Sequence, residues 1–243
     1  MNSQKIILPS RRSAFSLIEL IFLLFVIAVL AGLALPVFSS VSVKGAQTKA
    51  LSNAKQIGLA LRLYASDNDG AYPSFTLKNG KPTRTVVPDS NTAFAQLLPI
   101  YVAEERIFWL PKSAFCSPNP PDEITDNPPR DTPVDTLKKG ENEWAYVVGL
   151  NDSSNPAAPL IASGFADPKQ HTYTRDATKP GGVWKGSAAV IIRADSSGAV
   201  VKVDQATMTV VGPNGGTENG DIFTPENGGN GWLKPENFVV NPK

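Results

Sequence analysis

From Leu20 to Phe38 the chain carries no charged and no strongly polar residue, and fourteen of these nineteen positions are Leu, Ile, Val or Phe. Wound as a helix, such a run spans about 28 Å, close to the roughly 30 Å of a bilayer core. On insertion scales its apolar side chains favour transfer by about 4 to 8 kcal/mol. After Phe38 the composition turns polar, but an apolar period persists. Ala46, Ala50, Ala54, Ile57, Leu61 and Tyr64 recur at steps of four and three, which is one face of an amphipathic helix. Lys44, Lys49, Lys55 and Arg62 lie mostly off that face. The pattern predicts one helix from Phe15 to Ser66, apolar all round in its first half and one-sided in its second. Pro36 inside it removes a backbone donor and kinks the chain, and Gly32 adds a second soft point. Asp67-Asn68-Asp69-Gly70, followed by Tyr72-Pro73, supplies the C-terminal cap and turn.

Beyond this helix the periodicity shortens. Residues 74 to 140 are proline-rich, with a short helix expected over Thr92 to Leu98 after a cap at Asp89, Ser90 or Asn91. Residues 117 to 136 read as an exposed Pro-rich loop, anchored to the core by Phe108, Trp109 and Phe115. Strands are expected at Trp144 to Gly149, Leu160 to Ser163, Ala188 to Arg193 and Ala199 to Asp204. The last two form a hairpin through Asp195-Ser196-Ser197-Gly198. Val190, Ile191 and Ile192 are consecutive, so that strand is expected to be buried on both faces. Residues 212 to 231 read as a Gly/Asn-rich loop. The expected class is α+β: a long N-terminal helix, transmembrane in its first half and amphipathic in its second, packed on a small antiparallel sheet. The divisions are a leader at 1–14, a transmembrane helix at 15–38, its amphipathic continuation at 39–66, and a globular head at 67–243.

Charge adds a direction. The formal net charge is +1, from 23 basic and 22 acidic residues, so no excess of either sign calls for nucleic acid. Lys5, Arg11 and Arg12 precede the apolar run, and no acid appears before Glu19. The positive-inside rule keeps such an N-terminus cytoplasmic and places everything after about residue 40 outside. Three readings of the segment compete. One is a plain signal anchor. Another is a signal peptide, with the small-x-small site Gly32-Leu33-Ala34. Both leave Glu19 unexplained, since a carboxylate at the edge of an apolar helix usually has a functional partner.

The third reading takes the string Arg11-Arg12-Ser13-Ala14-Phe15-Ser16-Leu17-Ile18-Glu19-Leu20 as a whole. It resembles the cleavage and methylation motif of type IV prepilins and type II secretion pseudopilins. In that family a basic leader ends in a small residue, a Phe opens the mature chain and a Glu stands fifth. Ala14 departs from the usual Gly but is also small. The resemblance implies cleavage between Ala14 and Phe15, N-methylation of Phe15, and assembly through Glu19, which would neutralise the new ammonium of a neighbouring subunit. The stretch from Lys55 to Pro73 is likewise similar to the helix end of major pseudopilins. The implied function is a structural subunit of a pilus-like filament or secretion pseudopilus, or alternatively a minor pilin acting as an adhesin or ligand-binding tip. The implied partners are neighbouring subunits, a prepilin peptidase and methyltransferase, and an inner-membrane assembly platform. The implied location is the inner membrane, single-pass, with a periplasmic head and a surface filament after assembly.

Little catalytic chemistry is legible. There is one cysteine, Cys116, so no internal disulfide exists, and a buried inert thiol is expected there. One histidine, His171, rules out a multi-histidine metal site and is expected on the solvated surface. No phosphate loop, nucleophile elbow or Cys-x-x-Cys occurs. No enzyme activity and no cofactor are expected. Calcium is the one cation considered. Asp67 and Asp69 begin an EF-hand-like string, but its twelfth position is Lys78 where a Glu is needed. Glu218, Asp221 and Glu226 form a second acidic set, in a loop whose composition fits mere mobility equally well.

Overall fold

A computed structural model describes residues 16–78, 81–122, 136–214, 217–225 and 231–243, and the side chains of all of these but 31–40, 213–214 and 217–219. The chain divides into two compact units, Met1–Ala46 and Gln47–Lys243. The boundary falls inside α1 (Leu17–Asp67), a helix of 51 residues whose backbone runs unbroken through Gly32 and Pro36.

The first unit corrects the sequence reading. The expected membrane-crossing first half, and with it an inner-membrane, single-pass location, is overturned: among the described residues no helix is long and apolar enough to cross a membrane. The apolar residues with described side chains, Leu20 to Leu30, extend about 16 Å, roughly half of a hydrocarbon core. The periplasmic head and secretion role inferred from that span lose their basis with it.

The second unit is built on β3 (Trp144–Val148), β4 (Pro159–Ser163), β5 (Ala188–Arg193), β6 (Gly198–Lys202) and β9 (Phe238–Val240). The strand order is β6-β5-β4-β3-β9, and every neighbouring pair is antiparallel. Strands β3 to β6 follow one another as a meander, and β9 returns to lie beside β3. Every residue of β3 and β4 is buried, which explains their nearly continuous apolar sequences: both faces are covered. Tyr146, Ile161 and Ile192 are register partners on one such face. Here α1 lies against the sheet. A Cβ at Gly58 would meet Ile192 Cγ2 at 2.8 Å, so glycine permits the close approach. Ala50, Ala54, Ile57, Leu61 and Ala65 form the buried stripe. Helix α2 (Ser90–Phe94) is capped by Asp89, whose carboxylate accepts from Thr92 N at 2.7 Å, and it delivers Phe94 against Tyr146 with ring centroids 5.4 Å apart.

Two further ribbons were not expected, so three sheets stand in place of one small one. They are β1 (Phe75–Lys78) with β2 (Lys81–Val86), and β7 (Val211–Asn214) with β8 (Thr217–Asp221). The second ribbon occupies part of the stretch read as a Gly/Asn-rich loop. Most of the Pro-rich loop, residues 123 to 135, lies outside the described residues. The end of α1 follows its sequence. Asp69 and Gly70 take positive φ, and Gly70 N donates to Ala65 O at 2.8 Å.

Candidate functional site

The motif residues Ala14 and Phe15 lie outside the described residues. Their neighbours do not. Ser16 opens α1, and its carbonyl accepts from Glu19 N at 3.0 Å and from Leu20 N at 3.1 Å, which places Glu19 in the first turn. A carboxylate there is favoured by the partial positive charge of a helix start. Around it the helix turns apolar side chains outward on every side: Leu17 is 76% exposed, Phe22 66% and Phe25 65%. Residues at 17, 18, 20 to 25, 27, 29 and 30 cannot share one face of a helix at 100° per residue. Nothing among the described residues of the first unit buries this surface. It is a sheath of apolar groups with one fixed acid at its end.

Acidic residues come together elsewhere than the sequence pattern suggested. Among the described residues, Glu105, Asp122 and Glu141 bring one carboxylate oxygen each within 4.8 Å of one another. Leu137 N donates to Glu105 Oε1 at 2.8 Å, Lys138 N donates to Glu141 Oε2, and Lys138 Nζ meets Asp122 Oδ2 at 2.9 Å. An ammonium and two amides thus meet the charge that three neighbouring carboxylates bring, and these three are the acids that could hold a cation. Of the set named from the sequence, Glu226 and the side chain of Glu218 lie outside the described residues. Asp221 is committed to another role.

That role involves the lone histidine, which is not a solvated surface residue. His171 Nδ1 donates to Asp221 Oδ2 at 2.6 Å, with both side chains largely buried. Its ring sits 5.9 Å from Phe165 and 5.7 Å from Phe223. Asp221 also accepts from Phe223 N at 3.1 Å and Thr224 Oγ1 at 3.0 Å. The pair ties the end of β8 to the loop after β4. It works as a fastening between the two.

One further acid lies deep. Glu143, immediately before β3, is buried; Ser113 Oγ donates to its Oε2, while Oε1 has no hydrogen-bond partner among the described residues. Burial pushes its carboxyl up to about 8. Nearby, Cys116 is half-buried, and burial pushes its thiol up to about 12. Leu110 N donates to the sulfur at 3.4 Å. No sequence signal marks Glu143, which sits in an ordinary Glu-Asn-Glu-Trp string.

No family model matches the chain, and neither a curated protein nor a solved structure does.

Proposed function

We propose that this chain is a structural subunit of a pilus-like filament, cut between Ala14 and Phe15 by a prepilin peptidase and assembled with copies of itself through the N-terminal part of α1. The observation that carries this reading is the apolar sheath over Leu17 to Leu30, exposed on all sides and interrupted by a single acid, Glu19. Such a surface is costly in water and is covered by like surfaces when helices bundle. Cleavage before Phe15 would create an ammonium next to the sheath, and an unpaired charge buried in a bundle costs several kcal/mol. Glu19 of a neighbour offers the opposite charge and so sets the axial register. The experiment is mass spectrometry of the mature N-terminus in sheared-filament fractions. N-methylated Phe15 is the expected first residue. An intact Met1, or a start at Leu35, would overturn the reading.

A further inference from the structure

We propose that the cavity at the end of the β3/β9 pair is a binding site for a neutral oligosaccharide. It stands on the second unit alone, whatever the N-terminal helix does. The cavity measures about 530 Å³ and lies between two segments: the loop that leaves β3 at Gly149 and the chain that enters β9 from Gly231. That volume falls in the range of small-molecule sites, roughly 300 to 1,000 Å³.

Its lining combines one aromatic plane with several fixed polar groups. Trp232 is half-buried and lines the cavity, and the Arg193 guanidinium lies 5.2 Å from its ring centroid. Arg193 is itself held, donating to Ala157 O at 2.9 Å, so the indole rests on an anchored cation. An aromatic face with its negative quadrupole attracts the polarised C–H groups of a pyranose ring. Asn151 Oδ1 accepts from Ser153 N, Ser153 Oγ and Ser154 Oγ at 2.8 to 3.1 Å, and Asn155 Oδ1 accepts from Ala157 N at 2.9 Å. In both residues the amide oxygen is used to fold the loop, and among the described residues the NH2 groups remain as donors. Glu236 supplies an acceptor, and Lys234 balances its charge. Leu150 and Leu233 are buried beneath them. Fixed donors and an acceptor around an aromatic plane suit a ligand carrying hydroxyls at its rim and C–H groups on its faces.

The competing occupant would be an extended peptide, and the backbone argues against it. Peptide addition needs free main-chain groups. Here Lys234 N donates to Asn237 Oδ1 at 2.7 Å, Asn237 N to Lys234 O at 2.9 Å, and Ser153 N and Ala157 N are engaged as above. The near cancellation of charge in the lining argues against a strongly anionic ligand.

The test is a titration of the full chain with cellotriose and with maltotriose, read by tryptophan fluorescence and by saturation-transfer NMR. Saturable binding of either sugar is expected, with transfer strongest to the ring C–H protons. Trp232→Ala should weaken it by about tenfold or more, and Trp232→Phe should retain part of it, with circular dichroism unchanged in both. Asn155→Ala, at an exposed loop position, should weaken binding severalfold. No saturable binding of either sugar by the wild-type chain would overturn the proposal, and so would equal binding by a folded Trp232→Ala variant.

Discussion

Glu143 sits where water does not reach, and its carboxyl is pushed up to about 8 by that burial. In the unfolded chain it titrates as an ordinary glutamate. Between these two values the folded chain therefore holds a proton that the unfolded chain has released. Stability from this group is fully present below the ordinary glutamate value and is lost as pH climbs through about 8. The expected slope approaches about 1.4 kcal/mol per pH unit where one proton separates the states. Urea denaturation at pH 6 and pH 9 measures it, and Glu143→Gln should flatten the difference. Cys116 yields a second residue-scale expectation. With its thiol pushed up to about 12, little thiolate exists at neutral pH. Maleimide labelling of the native chain at pH 7 should run far slower than in urea, and equal rates would contradict the burial described. An unreactive thiol was expected from the sequence, whereas the buried acid was not: Glu143 and its partner Ser113 stand 30 residues apart, and no spacing rule joins them.

Among the elements, legibility followed burial. Strands β3, β4 and β5 were visible because consecutive apolar residues such as Trp144 to Val148 and Val190 to Ile192 have few other places to go. Helix α2 was visible because Asp89 stands where a cap belongs. The ribbon β1/β2 was not. Its strand Lys81–Val86 is mostly exposed and contains Pro82, so it shows neither alternation nor an apolar run. Strand β8, Thr-Glu-Asn-Gly-Asp, has a composition that discourages strands, and partner pairing decides its state. The His171–Asp221 fastening spans fifty residues and leaves no trace in spacing. Asp221→Ala should cost about 1 to 3 kcal/mol, because it strips the acceptor from a buried imidazole and from two neighbouring donors. Thermal denaturation of the variant checks this. The helix-to-sheet contact is equally exposed to test. Gly58→Leu gains helix propensity but drives a side chain into the stiff β-branched Ile192, and overpacking of this kind costs about 1 to 3 kcal/mol. A stability unchanged or raised would mean the helix does not sit as close as described.

At the scale of the whole molecule, the two units have different problems. Gln47–Lys243 owns a closed apolar core, from Ala50 on α1 through the sheet to Val240. Met1–Ala46 owns an exposed apolar surface over Leu17 to Leu30. A fragment beginning at Gln47 should therefore unfold in one cooperative transition and remain monomeric in analytical ultracentrifugation. The full chain should self-associate with a concentration dependence that Phe22→Ser and Phe25→Ser reduce together. A full chain that stays monomeric would leave the sheath without the role proposed for it. What the sequence hid at this scale was the partition itself. The stripe of α1 runs smoothly from Ala46 into Ala50, and only the tertiary contacts of Ala50 and beyond show where the second unit takes hold.

The sheet also closes late. Strand β9 pairs with β3, and Lys243 N donates to Asn91 Oδ1 at 3.2 Å, a contact spanning 152 residues. A ribosome that has finished β3 to β6 must still add more than thirty residues before β3 meets its last neighbour. Throughout that interval a strand with no polar face holds an open edge, the condition under which nascent chains pair with one another. Slow codons or stalling between residues 203 and 238 would lengthen it. The yield of soluble protein should then depend on the speed of translation over this stretch.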